Sequence, residues 1–131
     1  MIHLTVVTPT SKLVEAQVDE VVLPGRLGSL GVLPGHAPLL TSLSVGRLSY
    51  RRGGETREIA VAWGFAEVLP DRVTVLVDIA ERAEDIDVGR ARQAKQRAED
   101  LLRKGGEDLD WDRATVALEK AVVRLQVAEK R

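Results

Sequence analysis

Val73-Thr74-Val75-Leu76-Val77-Asp78-Ile79-Ala80-Glu81-Arg82-Ala83-Glu84-Asp85-Ile86-Asp87 is the stretch in which this chain changes its structural period. Val73, Val75 and Val77 alternate with Arg72, Thr74 and Leu76, the two-residue period of a half-buried strand. Beyond Ala80 the apolar positions recur at helical spacing and are rich in alanine. Composition shifts at the same place. Residues 1–80 hold all 5 Pro, 8 of the 11 Gly and 15 charged residues, whereas residues 81–131 hold no Pro and 24 charged residues. A β-body carrying a helical arm is the organisation of a part that docks and switches, not of a pocket that does chemistry.

The chain has 131 residues, room for one ordinary domain or a small domain with an appendage. Its net charge of -1 argues against a nucleic-acid partner, which would meet phosphates with a dense basic face. With no cysteine there is no disulfide framework, thiol nucleophile or zinc thiolate site. The start, Met1-Ile2-His3-Leu4-Thr5, lacks the basic and apolar regions of a signal peptide. No apolar run approaches the roughly 20 residues of a membrane helix. The expectation is a cytosolic protein, or one bound to a membrane assembly through partners without direct insertion.

The β-part is read from alternation and turn residues. Ile2, Leu4 and Val6 point one way, with His3 and Thr5 opposite. Leu48–Arg51 and Arg57–Val61 flank Gly53-Gly54, a pair that accepts the positive φ of a tight hairpin. Pro70-Asp71 interrupts Phe65–Val77 in the same way. Such strands predict an antiparallel sandwich or barrel. With one Phe, one Tyr and two Trp, aliphatic residues must fill its core.

One stretch departs from this pattern: Gly28-Ser29-Leu30-Gly31-Val32-Leu33-Pro34-Gly35-His36-Ala37-Pro38-Leu39-Leu40. Its glycines and prolines suggest an unusual backbone path, and its leucines carry more apolar surface than a solvated loop comfortably exposes. It is either a docking edge or a buried crossover between sheets, and composition favours the crossover. His36, with only His3 as companion, makes no metal site and reads as a hydrogen-bonded structural residue.

In the arm, Asp87 is placed to cap a first helix that Arg103-Lys104 and Gly105-Gly106 close. Asp108, Asp110 and Asp112 open a second helix running to the C-terminus. Ala91, Ala94, Ala98 and Leu101 line one face of the first helix, and Ala114, Ala117, Ala121, Leu125 and Ala128 one face of the second. These stripes predict an antiparallel hairpin whose pairing buries little more than methyl groups. Asp87, Arg90 and Arg97 share a face of one helix, and Lys120 and Arg124 a face of the other. Brought together, the four cations suit phosphate; taken separately, they are solvated charges of exposed helices.

The Leu30–Leu39 loop, the Gly64-Phe65-Ala66-Glu67-Val68 strand and the Ala80–Asp87 junction together resemble the epsilon subunit of bacterial F-type ATP synthase, over nearly the whole chain. The resemblance implies a ten-stranded β-sandwich stalk domain over residues 1–84 and a helix-loop-helix regulatory domain over 85–131. It implies a non-catalytic rotor subunit of the central stalk, peripheral to the cytoplasmic face of the bacterial inner membrane. The implied partners are the gamma subunit, the c-ring, and the alpha and beta subunits of the catalytic head. Gly28, Ser29, Leu30, Gly31, Pro34, Gly35 and His36 become a partner-docking loop, with Ser29 standing where some relatives carry an acidic residue.

The family's ATP-sensing motif, Ile-Asp-x-x-Arg-Ala, is matched by Ile86-Asp87-Val88-Gly89-Arg90-Ala91. Position by position, the resemblance places Glu81, Ile86, Asp87 and Arg90 about the base and sugar of ATP and Arg97 and Arg124 near the phosphates, and counts Ala91 and Lys120 among the ATP-binding residues. Lys120 replaces a relative's arginine, exchanging a bidentate fork for a point charge. Gly89 costs about 1 kcal/mol of helix propensity relative to alanine. No obligatory cofactor is implied; ATP would be a regulatory ligand. The implied mechanism is a population shift between a folded, ATP-favoured hairpin and helices extended into the catalytic head, where they block hydrolysis. The alternative is a free-standing ATP-binding sensor. An enzyme is the weakest reading, because the chain has no phosphate-loop motif, no cysteine and no nucleophile beside His36.

Overall fold

The computed structural model describes residues 1–129. In them the alternating segments become eight strands: β1 (Ile2–Val7), β2 (Lys12–Val18), β3 (Glu20–Gly25), β4 (Gly28–Val32), β5 (Leu39–Leu43), β6 (Gly46–Arg52), β7 (Glu55–Leu69) and β8 (Arg72–Arg82). Two predicted hairpins are present. β6 and β7 turn at Gly53-Gly54, where Gly53 takes a φ of +61°, and β7 and β8 turn at Pro70-Asp71. The core between the layers is aliphatic, built on Ile2, Leu4, Val21, Leu48, Val68 and Val75, with Tyr50 at its edge.

The expected count of ten strands and the observed eight differ because β7 and β8 each serve in two layers. On β7 the inward residues are Ile59 and Val61 near its start but Ala66 and Val68 near its end, so the pleat inverts between them. Trp63 makes the inversion by adopting a φ of +52°. The ladder pairs Ala62 with Ile79 and Gly64 with Val77 in one unbroken register, and leaves Trp63 and Asp78, opposite each other between them, unpaired. β8 inverts in step: Val73, Val75 and Val77 face the core, then Ala80 does. β6 flanks the first half of β7, with β3 paired to the other side of β6, and β5 flanks the second.

One pairing is not antiparallel. β1 lies parallel to β8, with His3 opposite Arg72 and Val7 opposite Leu76. A parallel neighbour needs a long connection, and here the whole of β2 to β7 supplies it.

The helical arm follows a 3₁₀ turn at Ala83–Asp85. α1 (Val88–Lys104) is capped by Asp87, whose Oδ1 accepts from the Arg90 N–H at 3.1 Å, and it ends at Gly105, φ +62°. α2 (Trp111–Ala128) is capped by Asp110 in the same way. The expected run to the C-terminus reaches Ala128; residues 130–131 lie outside the described residues. The helices pack together along Ala91, Ala94 and Ala98 of α1 and Ala114 and Ala121 of α2. Leu101 and Ala117 depart from the predicted stripes and are exposed, while Leu102 and Leu118 are half-buried. Four-residue steps from Ala98 and Ala114 keep closer to the seam than three-residue steps, as a 3.6-residue period requires.

α1 rests on α2, and α2 provides the principal contact with the sandwich, meeting β6, β7, β8 and the 3₁₀ turn. A second apolar cluster of Ala60, Ala83, Ile86, Val127 and Ala128 fixes the end of α2 beneath the interdomain junction.

Candidate functional site

The pleat inversion at Trp63 decides what the arm meets. With Ile59 and Val61 facing the core, Ala60 and Ala62 face outward, and Ile79 and Glu81 do the same on β8. α2 lies over this face and presents Ala121, Val123, Lys120 and Arg124 to it. Because alanine methyls from both sides are too short to fill the gap, a cleft of about 270 Å³ remains between helix and sheet. Its wall is mostly apolar and its charged groups are Glu81, Lys120 and Arg124.

Those three side chains are engaged. Arg124 Nε lies 2.8 Å from Glu81 Oε1, and an Arg124 terminal nitrogen donates to Glu81 Oε2 at 3.2 Å. The Nε contact pairs charge without making a hydrogen bond, since the buried Nε–H has no acceptor along its direction. Lys120 Nζ stands 4.3 Å from the centre of the Trp63 ring, a cation–π contact.

Of the residues assigned to ATP, the structure thus brings Glu81, Lys120 and Arg124 to one cleft. Arg90 and Arg97 are exposed on α1 and do not line it. Asp87 is exposed and its carboxylate is occupied as the helix cap. Ile86 and Ala91 are buried, the first in the cluster under α2 and the second in the helix–helix seam. Trp63 escaped the sequence reading. The signal that marks it is Gly64, a glycine inside a strand pattern where chain must approach chain.

The Gly28–Leu40 stretch is less irregular than its composition suggests. Gly28, Ser29, Leu30 and Gly31 belong to β4, an ordinary edge strand paired with β3, and Leu39-Leu40 opens β5. Between them Gly35 donates its N–H to the Pro70 carbonyl at 2.7 Å, tying the loop to the β7–β8 turn. His36 Nδ1 bonds the Ala37 carbonyl at 2.7 Å. A buried crossover is not what forms. Val32 is buried and Leu30 half-buried, but Ser29, Gly31, Pro34 and Gly35 are exposed, as are Leu33 at 55 % and Leu40 at 70 %. β4 ends at Val32, so Leu33 lies in the loop beyond it and Leu40 on β5, both exposed to solvent. His3, across the sandwich, bonds Glu15 and Gln17, and no group of three or more His, Asp or Glu among the described residues is placed to hold a metal ion.

Residues 1–83 match the family described as ATP synthase, Delta/Epsilon chain, beta-sandwich domain, and residues 84–129 match its long alpha-helix domain. The chain belongs to the ATP synthase epsilon family. It is 48 % identical to the ATP synthase epsilon chain of Trichlorobacter lovleyi, over 97 % of this chain and 93 % of that one. It is likewise 48 % identical to that of Geobacter sulfurreducens, over 98 % of this chain and 94 % of that one. Among solved structures it resembles a chain of the Euglena gracilis mitochondrial ATP synthase, in an assembly of OSCP, F1 and c-ring, with a TM-score of 0.82 at 25 % identity, covering 98 % of this chain and 81 % of that one. The epsilon chain is a subunit of the synthase that carries no catalytic centre. No α-helix among the described residues is long and apolar enough to cross a membrane.

Proposed function

We propose that this epsilon chain is the rotor element that joins the c-ring to gamma in the central stalk, on the cytoplasmic face of the bacterial inner membrane, and that its arm regulates ATP hydrolysis. The sandwich would carry torque. Its exposed loop about Leu33, Pro34 and Gly35, with Leu40 beside it, offers apolar surface for the c-ring and gamma. The Euglena neighbour comes from an assembly containing F1 and the c-ring, which supports these partners. The observation that carries the regulatory reading is the mode of attachment. α1 is held through α2, and α2 lies on the sandwich across a partly unfilled cleft, so the whole arm can leave as a unit and extend toward alpha and beta.

The cleft with Glu81, Lys120 and Arg124, together with the Ile86–Ala91 motif, supports ATP as the ligand that favours the docked arm. Arg90 and Arg97 would join it through a shift of α1 along its alanine seam. Calorimetric titration of the chain with MgATP tests this, beside an Asp87→Asn, Arg90→Ala variant that keeps a capping side chain. Saturable heat lost in the variant is the expected result. A flat titration up to millimolar MgATP removes nucleotide sensing and leaves the arm under the control of gamma and the catalytic head.

A further inference from the structure

The arm's seat on the sandwich is thin in apolar terms. Ala60, Ala62 and Ala121 contribute single methyls where the cleft opens, and the apolar packing of α2 on the junction is gathered at its end, about Val127 and Ala128. Across this gap α2 extends two cations four residues apart, on one face of the helix. Lys120 reaches Trp63, and Arg124 reaches Glu81. We infer that these two contacts form a two-point latch that determines whether the arm is docked, with Trp63 and Glu81 as its fixed halves. The inference goes beyond the rotor reading and needs neither nucleotide nor partner.

Both fixed halves are set by the same backbone device. Trp63 sits in the left-handed region, unfavourable for a residue with a Cβ, and is held there because Gly64 is pressed against the Leu76–Val77 backbone. That conformation turns the inward pleat of β7 outward and brings the indole into reach of α2. The matching inversion on β8 turns Glu81 toward Arg124. The moving halves are neighbours on one helix, and α1 is carried by that helix, so opening the latch frees both helices together.

The latch is also made to open. Glu81 and Arg124 are each about a quarter exposed, so salt reaches their pair. Arg124 uses one hydrogen bond where a side-on guanidinium could use two, and its buried Nε–H stays unsatisfied. Lys120 holds the indole by charge and can leave to full hydration. Neither contact resembles the permanently buried pairs that lock a core.

The test is hydrogen exchange of the full chain read by mass spectrometry, for wild type, Lys120→Met, Trp63→Leu, Glu81→Gln and the swapped pair Glu81→Arg with Arg124→Glu. Lys120→Met keeps the aliphatic stem and removes only the charge. Each single variant is expected to speed exchange in both α1 and α2 by about two- to five-fold while β1 and β3 keep wild-type rates. Trp63→Leu should add nothing once Lys120 is methionine, and the swapped pair should restore slow exchange. Unchanged helix exchange in Lys120→Met and Glu81→Gln overturns the latch. So does a rise confined to α2 with α1 unaffected, or a rise shared by the sandwich, which marks lost folding and not undocking. Additive effects of the Trp63 and Lys120 changes overturn the contact between them.

Discussion

Gly64 passes so close to the carbonyl of Leu76 that no Cβ fits between the two strands. This contact fixes the kink at which β7 changes layers, and it gives Gly64→Ala a definite consequence. The alanine methyl can be accommodated only by parting backbone from backbone, so the variant should lose about 1–3 kcal/mol. Urea denaturation followed by far-UV circular dichroism measures it. A loss below about 0.5 kcal/mol would mean that the strands part easily and that the kink is not held by this approach.

Asp87 is a helix cap in the docked arm, whatever else it does. Replacing it with alanine should lower stability by about 1 kcal/mol, and replacing it with asparagine by much less. The loss should appear as faster amide exchange in the first turn of α1. Equal loss in both variants would show that the charge of Asp87, and not its capping oxygen, is what α1 needs.

Glu15 gives the sandwich a pH-sensitive contact. Hydrogen bonds from the His3 ring and Lys12, with the Lys12 charge, hold its carboxyl below the ordinary 4.5. A depressed carboxyl contributes stability that is present above the unfolded value and is lost as pH falls through the folded one. Carbon-detected NMR titration should place Glu15 below 4.5 in the wild-type chain and move it upward in His3→Ala. No movement would assign the depression to Lys12.

Leu33 and Leu40 project from the sandwich without cover. Leu33→Ser with Leu40→Ser should therefore change the stability of the isolated chain by no more than about 0.5 kcal/mol per site. In the assembled synthase the same pair should weaken retention of the chain on the c-ring and gamma, read by co-purification. Wild-type retention would move the docking surface elsewhere.

The strands and helices were legible because alternation, turn glycines and capping aspartates are local signals. Gly53-Gly54, Pro70-Asp71, Asp87 and Asp110 each act within a few residues of where they stand. Sequence missed the parallel contact of β1 with β8, since no local pattern tells which distant edge a strand will join. It also missed the inversion at Trp63, because it depends on the close approach of Gly64 to Leu76, which exists only once β8 is beside β7. The candidate site was legible as a set of charges but not as an arrangement. Helical spacing put Arg90 and Arg97 on one face of α1, yet which face meets the sandwich is decided by Ala60, Ala62 and the alanine seam. Lys120 and Arg124 consequently meet the sheet, and the α1 arginines meet solvent.

The parallel seat of β1 has a bearing on how the chain is made. His3 finds Arg72 as its neighbour, so β1, once it has left the ribosome, lacks one of its two edges until β8, the last strand of the sandwich, has followed it. At about 5–20 residues per second that interval lasts several seconds. The β1–β2 hairpin can form early, but the layer closes only when β8 arrives. α1 and α2 emerge after that closure, and they meet a finished sandwich surface from the moment they fold.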